Sequence, residues 1–115
     1  LRERLALLGT DALLAMARDK DLSEPPWLRR VLADILWQRL GTVTRESRER
    51  GRLIQALFRV RPDDPRVMEV YGWFLLEEGK DSDARRLFSR LFDLRGRARD
   101  LEGLVIALAR LGRSR

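Results

Sequence analysis

The chain has 115 residues, 44% of them hydrophobic and 37% charged, a balance that supports one folded domain with a real core rather than a disordered tail. Its 24 basic residues outnumber 18 acidic ones to give +6, and only Lys20 and Lys80 are lysines, so arginine dominates. With no cysteine and no histidine, disulfides, thiolate nucleophiles, imidazole bases and the commonest zinc sites are excluded, and no apolar run approaches the roughly 18 residues of a membrane span. The basic excess favours acidic partners, whether protein surfaces, nucleic acid or anionic lipid headgroups. A codon bias toward arginine in a GC-rich genome accounts for it equally well. The chain opens on Leu1, and the expectation is a domain of a longer protein.

Apolar spacing and capping residues predict an all-α chain of about seven helices. Two short ones come first, over residues 2–8 and, after Gly9 and a cap at Thr10 or Asp11, over 12–19. Ser23 caps a third, with Pro25 and Pro26 tolerated in its first turn because those backbone positions lack intrahelical partners anyway. This helix runs to Leu40 and stops at Gly41. Its residues Leu28, Val31, Leu32, Ile35, Leu36 and Trp37 cover most of the circumference, as in a helix packed on both sides, so Trp27 and Trp37 are assigned to the core. Thr44 is the expected cap of a fourth helix that Pro62 ends. Pro62, Asp63, Asp64 and Pro65 then supply a stop, a turn and a new start, with Asp64 as cap and Pro65 at the first helical position. A fifth helix over 66–78 closes at Gly79 in the left-handed conformation. Asp81 or Ser82 begins the sixth, to about Leu94, and Gly96 separates it from a seventh over 97–111. The connections are short enough to turn successive helices antiparallel.

The chain echoes itself. Leu53, Ile54, Leu57, Phe58 and Val60 recur 34 residues later as Leu87, Phe88, Leu91, Phe92 and Leu94. Met68, Tyr71, Gly72, Leu75 and Gly79 are followed 33 residues on by Leu101, Leu104, Val105, Leu108 and Gly112. A period of this size marks stacked helical hairpins that bury their apolar faces only against neighbours. Residues 65–98 resemble a tetratricopeptide repeat, whose signature is Trp-x2-Leu-Gly-x2-Tyr, then Ala-x3-Phe, then Pro. Met68, Tyr71, Gly72 and Leu75 stand at the first four positions, Gly79 at the turn, and Ala84, Phe88 and Leu91 on the second helix. Met68 and Tyr71 replace the signature Trp and Leu, and Gly96 stands where proline is usual. A glycine within a helix costs roughly 1 kcal/mol against alanine, so Gly72 calls for a compensating close approach, expected at Ala84. The resemblance covers residues 50–112: half a repeat at 44–64, the best repeat at 65–98 and an unpaired helix at 99–115, with 1–43 irregular.

The resemblance implies a single domain built as a short right-handed superhelix whose first helices line a concave groove. The groove residues would be Arg66, Glu69, Trp73 and Glu77 of the fifth helix and Arg99, Glu102, Ile106 and Arg110 of the seventh. Trp73, an amphipathic ring among charges, has the composition of an interaction hot spot, and packing against the third helix is its alternative. Arg95, Arg97 and Arg99 around Gly96 either fork onto phosphates or carboxylates or stabilise a helix C-terminus. The seventh helix carries Leu101, Leu104, Val105, Leu108 and Leu111 as a stripe on the open end of the stack. Self-association, a further repeat or a partner protein would cover it.

By the same resemblance the function is a noncatalytic protein-interaction scaffold or adaptor with no cofactor. Bacterial relatives serve in envelope assembly, including exopolysaccharide, pilus and secretion machineries. The implied compartment is the cytoplasm or the soluble part of a membrane-anchored protein. A basic helical-repeat nucleic-acid binder is the alternative, and Glu69, Glu77 and Glu102 on the groove weigh against it because they repel phosphate. No glycine-rich phosphate loop follows a strand, Ser82 and Ser89 have no histidine partner, and Glu77 and Glu78 point apart, so the residues do not point to an enzyme.

Overall fold

The computed structural model describes residues 9–18, 26–44 and 46–113. Among them are six α-helices and no strand: α1 (Thr10–Arg18), α2 (Pro26–Leu40), α3 (Arg48–Val60), α4 (Pro65–Glu77), α5 (Asp81–Arg95) and α6 (Ala98–Arg113). The helix expected over 2–8, the Ser23 cap and Pro25 lie outside the described residues. No described helix is long and apolar enough to cross a membrane. The chain divides into two compact units, Leu1–Pro62 and Asp63–Arg115, with the boundary inside the turn formed by Pro62 to Pro65.

In the first unit α3 packs against both α2 and α1. Leu53, Ile54, Leu57 and Val60 fall on one side of α3 at helical spacing and are buried, together with Leu13 and Leu14 of α1 and Leu32, Ala33, Ile35 and Leu36 of α2. Two expectations are corrected here. The cap of α3 is Ser47, not Thr44: the Ser47 backbone is extended and its Oγ accepts from the Glu49 N–H at 3.2 Å. Thr44 instead closes the preceding turn, its carbonyl accepting from the Ser47 N–H. Nor is α2 packed on both sides, for Trp27 is 52% exposed and only one broad face is buried. Trp27 sits in the first turn, off the arc of Leu32, Ile35 and Leu36 that meets the neighbouring helices. Trp37 is half-buried.

In the second unit α5 packs against both α4 and α6, and α4 also touches α6. The ends of α4 follow the expected chemistry. The Asp64 Oδ1 accepts from the Arg66 N–H at 3.0 Å with Pro65 in the first turn. At the other end Gly79 has φ +76°, its N–H donates to the Leu76 carbonyl, and the Lys80 N–H donates to the Leu75 carbonyl. That crossed pair is a Schellman closure, and it turns the chain directly into α5. Asp81 begins α5 as expected, without a side-chain cap, and Asp81 and Asp83 place negative charge in its first turn. Gly96, at φ +59°, ends α5 with its N–H on the Phe92 carbonyl.

The core of this unit is centred on Phe88 of α5, which has no exposure. Gly72 of α4 and Gly103 of α6 both face its ring: a β-carbon at Gly72 would lie 2.8 Å from it and one at Gly103 2.6 Å. The close approach that compensates Gly72 is therefore made by Phe88 rather than by Ala84. Met68, Leu75, Leu87 and Leu91 of α4 and α5 and Ala107 of α6 are buried in the same unit.

Candidate interaction surface

Two helices of the second unit position the residues that sequence reasoning assigned to a groove. Glu69 pairs with Arg99, and Arg110 donates to the Leu76 carbonyl, giving offsets of 30 and 34 residues between α4 and α6. Contacts at such similar offsets mean that the two helices run in the same direction. Gly72 and Gly103, 31 residues apart on one ring, fit the same register.

A chain of charges ties this face together. Asp100 in the first turn of α6 is fully buried, and the Arg95 guanidinium forks onto it, with Nε 2.6 Å from Oδ2 and Nη2 2.8 Å from Oδ1. The same Nη2 reaches the Glu69 Oε2 at 3.1 Å, while the Glu69 Oε1 accepts from the Arg99 Nε at 2.7 Å. The hydrogen bonds that Arg95 donates to Asp100, and secondarily the one it donates to Glu69, hold it protonated well above the ordinary arginine range, although burial acts in the opposite direction. Arg95 is only 13% exposed, so its fork is committed to the interior. Of the three arginines around Gly96, two are thus already occupied by internal carboxylates.

Trp73 lies beside this chain. Its ring meets Phe88 edge-on, centroids 5.2 Å apart at 69°, and the Arg99 guanidinium sits 5.7 Å from its centroid, within cation–π range. The Trp73 Nε1 is buried and has no hydrogen-bond partner among the described residues. Of the eight groove residues, the structure brings Glu69, Trp73 and Arg99 into one cluster and anchors Arg110 to the C-terminal turn of α4, where it also approaches Asp81 at 3.4 Å. Arg66 is exposed and bonded to Asp64, Glu77 and Glu102 are exposed, and Ile106 is half-buried.

No family model, curated protein or solved structure matches the chain. The face therefore has to be read from its own chemistry: an aromatic ring stacked under a cation that is 68% exposed, held on two helices by a buried acid–base pair.

The stripe on α6 splits in two. Leu101, Val105 and Leu108 are exposed at 43%, 55% and 48%, whereas Leu104 and Leu111 are half-buried. The side of α6 that packs inward is formed by Asp100, Gly103 and Ala107. Sequence reasoning missed this inner side: Asp100, Gly103 and Ala107 repeat at helical spacing, but an acid, a glycine and an alanine make no apolar stripe to mark it. The 33-residue echo also differs in burial, since Met68 and Leu75 are interior while Leu101 and Leu108 face out.

Proposed function

We propose that the chain is a noncatalytic protein-interaction module of tetratricopeptide-like architecture that holds a peptide or helix of a partner against the α4/α6 face. The Trp73–Arg99 stack carries this reading. A flat ring with a cation over it, bordered by Glu69 and exposed Glu77 and Glu102, offers stacking, apolar contact and charge of both signs within a small area. The parallel register of α4 and α6 supports the repeat architecture. The internal ion pairs support the presentation of a pre-ordered surface, which limits the entropy lost on binding. Carried over from the resemblance, the larger assembly would be a bacterial envelope, exopolysaccharide or secretion complex. The module would work in the cytoplasm or as the soluble part of a membrane-anchored protein.

The test begins with the intact parent protein and the identification of what co-purifies with it. The purified partner's affinity is then measured for the native chain and for Arg99→Ala and Glu77→Arg, both exposed positions, alongside Trp73→Ala. A loss of about tenfold or more, roughly 1.4 kcal/mol, is expected for the tryptophan and arginine variants. Unchanged affinity of every partner in all three would overturn the reading. Tight binding of RNA or DNA at about 50 mM salt, where phosphate contacts are strongest, would replace it with the nucleic-acid alternative.

A further inference from the structure

The outer side of α3, in the first unit, carries charge of one sign. Arg48, Arg52, Gln55 and Arg59 follow at spacings of four, three and four residues, which holds them within an arc of about 60° over about 16 Å of helix. All four are exposed, and no carboxylate falls in that arc. Arg48 and Arg52, one turn apart, repel each other. Arg52 approaches Asp11 of α1 at 3.9 Å, but the two side chains are 64% and 95% exposed, so water screens the pair.

A general excess of arginine does not produce such a ridge. On α5 the exposed side mixes signs, with Asp83 and Asp93 among Arg85, Arg86 and Arg90, and Arg90 bonds to Asp63. The imbalance is uneven along the chain as well: residues 1–62 hold 13 basic and 8 acidic side chains, residues 63–115 hold 11 and 10. Beside the ridge, an open cleft of about 310 Å³ is lined by Asp11, Leu14 and Ala15 of α1 and by Arg52.

We infer that the α3 ridge and the cleft beside it dock an acidic helix of a partner protein. The inference goes beyond the α4/α6 reading, for it uses the other unit and none of the same residues. A second helix laid alongside reproduces the spacing of the ridge. Carboxylates at i, i+4, i+7 and i+11 come level with Arg48, Arg52, Gln55 and Arg59 in either direction, because the spacing reads the same both ways. Each guanidinium offers a planar fork to a carboxylate, and the Gln55 amide donates at the remaining level. An aliphatic side chain at the edge of the same partner would enter the cleft over Leu14 and Ala15. A nucleic-acid duplex suits the site less, since its unbroken phosphate charge meets the exposed Asp11 carboxylate and the ridge has no aromatic ring on which to stack a base. Nor does the arc hold an apolar side chain to enter a bilayer.

The probe is an alanine-based peptide of about 20 residues, long enough to be partly helical alone, with glutamates at i, i+4, i+7 and i+11 and one leucine beside them. Fluorescence anisotropy of the labelled peptide with the 115-residue chain should give a Kd of about 10–100 µM at about 50 mM salt, weakened about threefold at about 300 mM. Arg48→Glu with Arg59→Glu should weaken binding by about tenfold and leave circular dichroism unchanged, since both positions are exposed. A peptide with lysine in place of each glutamate should bind that variant and not the native chain. Arg99→Ala should leave peptide binding as it is, which separates this surface from the α4/α6 face. Shuffling the peptide so that its glutamates surround the helix should cost about fivefold. Equal binding of the two peptides, or of the native chain and the double variant, would overturn the inference, as would no binding up to about 300 µM. Tighter binding of duplex DNA or of phosphatidylserine vesicles, lost in the double variant, would give the ridge to phosphates or to a membrane surface and overturn it equally.

Discussion

Gly103 faces the Phe88 ring so closely that a β-carbon on it would lie 2.6 Å from two ring atoms. Helix propensity alone favours alanine there by about 1 kcal/mol. The ring has no room to retreat, being fully buried and met by Gly72 as well, and overpacking of this kind costs about 1–3 kcal/mol. Gly103→Ala should therefore destabilise the chain in urea unfolding despite the better helix former. Adding Phe88→Leu should recover part of the loss, so that the double variant is less destabilised than the sum of the singles.

Arg95→Met should lower stability by about 3–5 kcal/mol, because it leaves the fully buried Asp100 carboxylate without its partner. Replacing both, as Arg95→Met with Asp100→Leu, should restore much of that, since no uncompensated charge remains. The folded state raises the Arg95 value above its unfolded one. The stabilisation from its charge is thus complete below the unfolded value and lost only as pH climbs through the folded one. The deficit of Arg95→Met should accordingly be the same at about pH 7 and about pH 10, which thermal melts at the two values would check.

Ser47→Ala should destabilise α3 by about 1 kcal/mol, the usual loss of an N-cap hydrogen bond, whereas Thr44→Ala should change stability by less than about 0.5 kcal/mol. Equal losses at the two positions in denaturant titration would place the cap elsewhere.

Trp73→Phe should be neutral or slightly stabilising. It removes a buried N–H that has no hydrogen-bond partner, a group whose burial costs about 1–3 kcal/mol, and keeps an aromatic ring edge-on to Phe88. A melting temperature clearly below that of the native chain would mean that the indole N–H is satisfied in solution.

The helices of the second unit were readable because local chemistry decides them. Asp64 followed by proline, and the glycines at 79 and 96, impose their caps and left-handed closures whatever packs around them. The start of α3 was less readable, since Thr44 and Ser47 are both competent caps and only the turn that Thr44 closes selects between them. Trp27 was misassigned because hydrophobicity alone does not tell which side of an apolar helix meets a neighbour. The residues assigned to a groove do fall on α4 and α6, but the internal carboxylate that pairs with Arg95, Asp100, looked like an ordinary charge in a first helical turn. Its burial depends on a cation five residues earlier, a pairing that helical periodicity does not reveal.

Phe88 touches all three helices of the second unit through Gly72, Trp73 and Gly103. Detaching α6 would uncover the ring and leave Arg95 without its buried acid, so the last helix has little freedom to fray independently of the others. Backbone amides in the middle of α4, α5 and α6 should then exchange with solvent in one concerted event, and the outward stripe of α6 would be carried on a unit that opens as a whole.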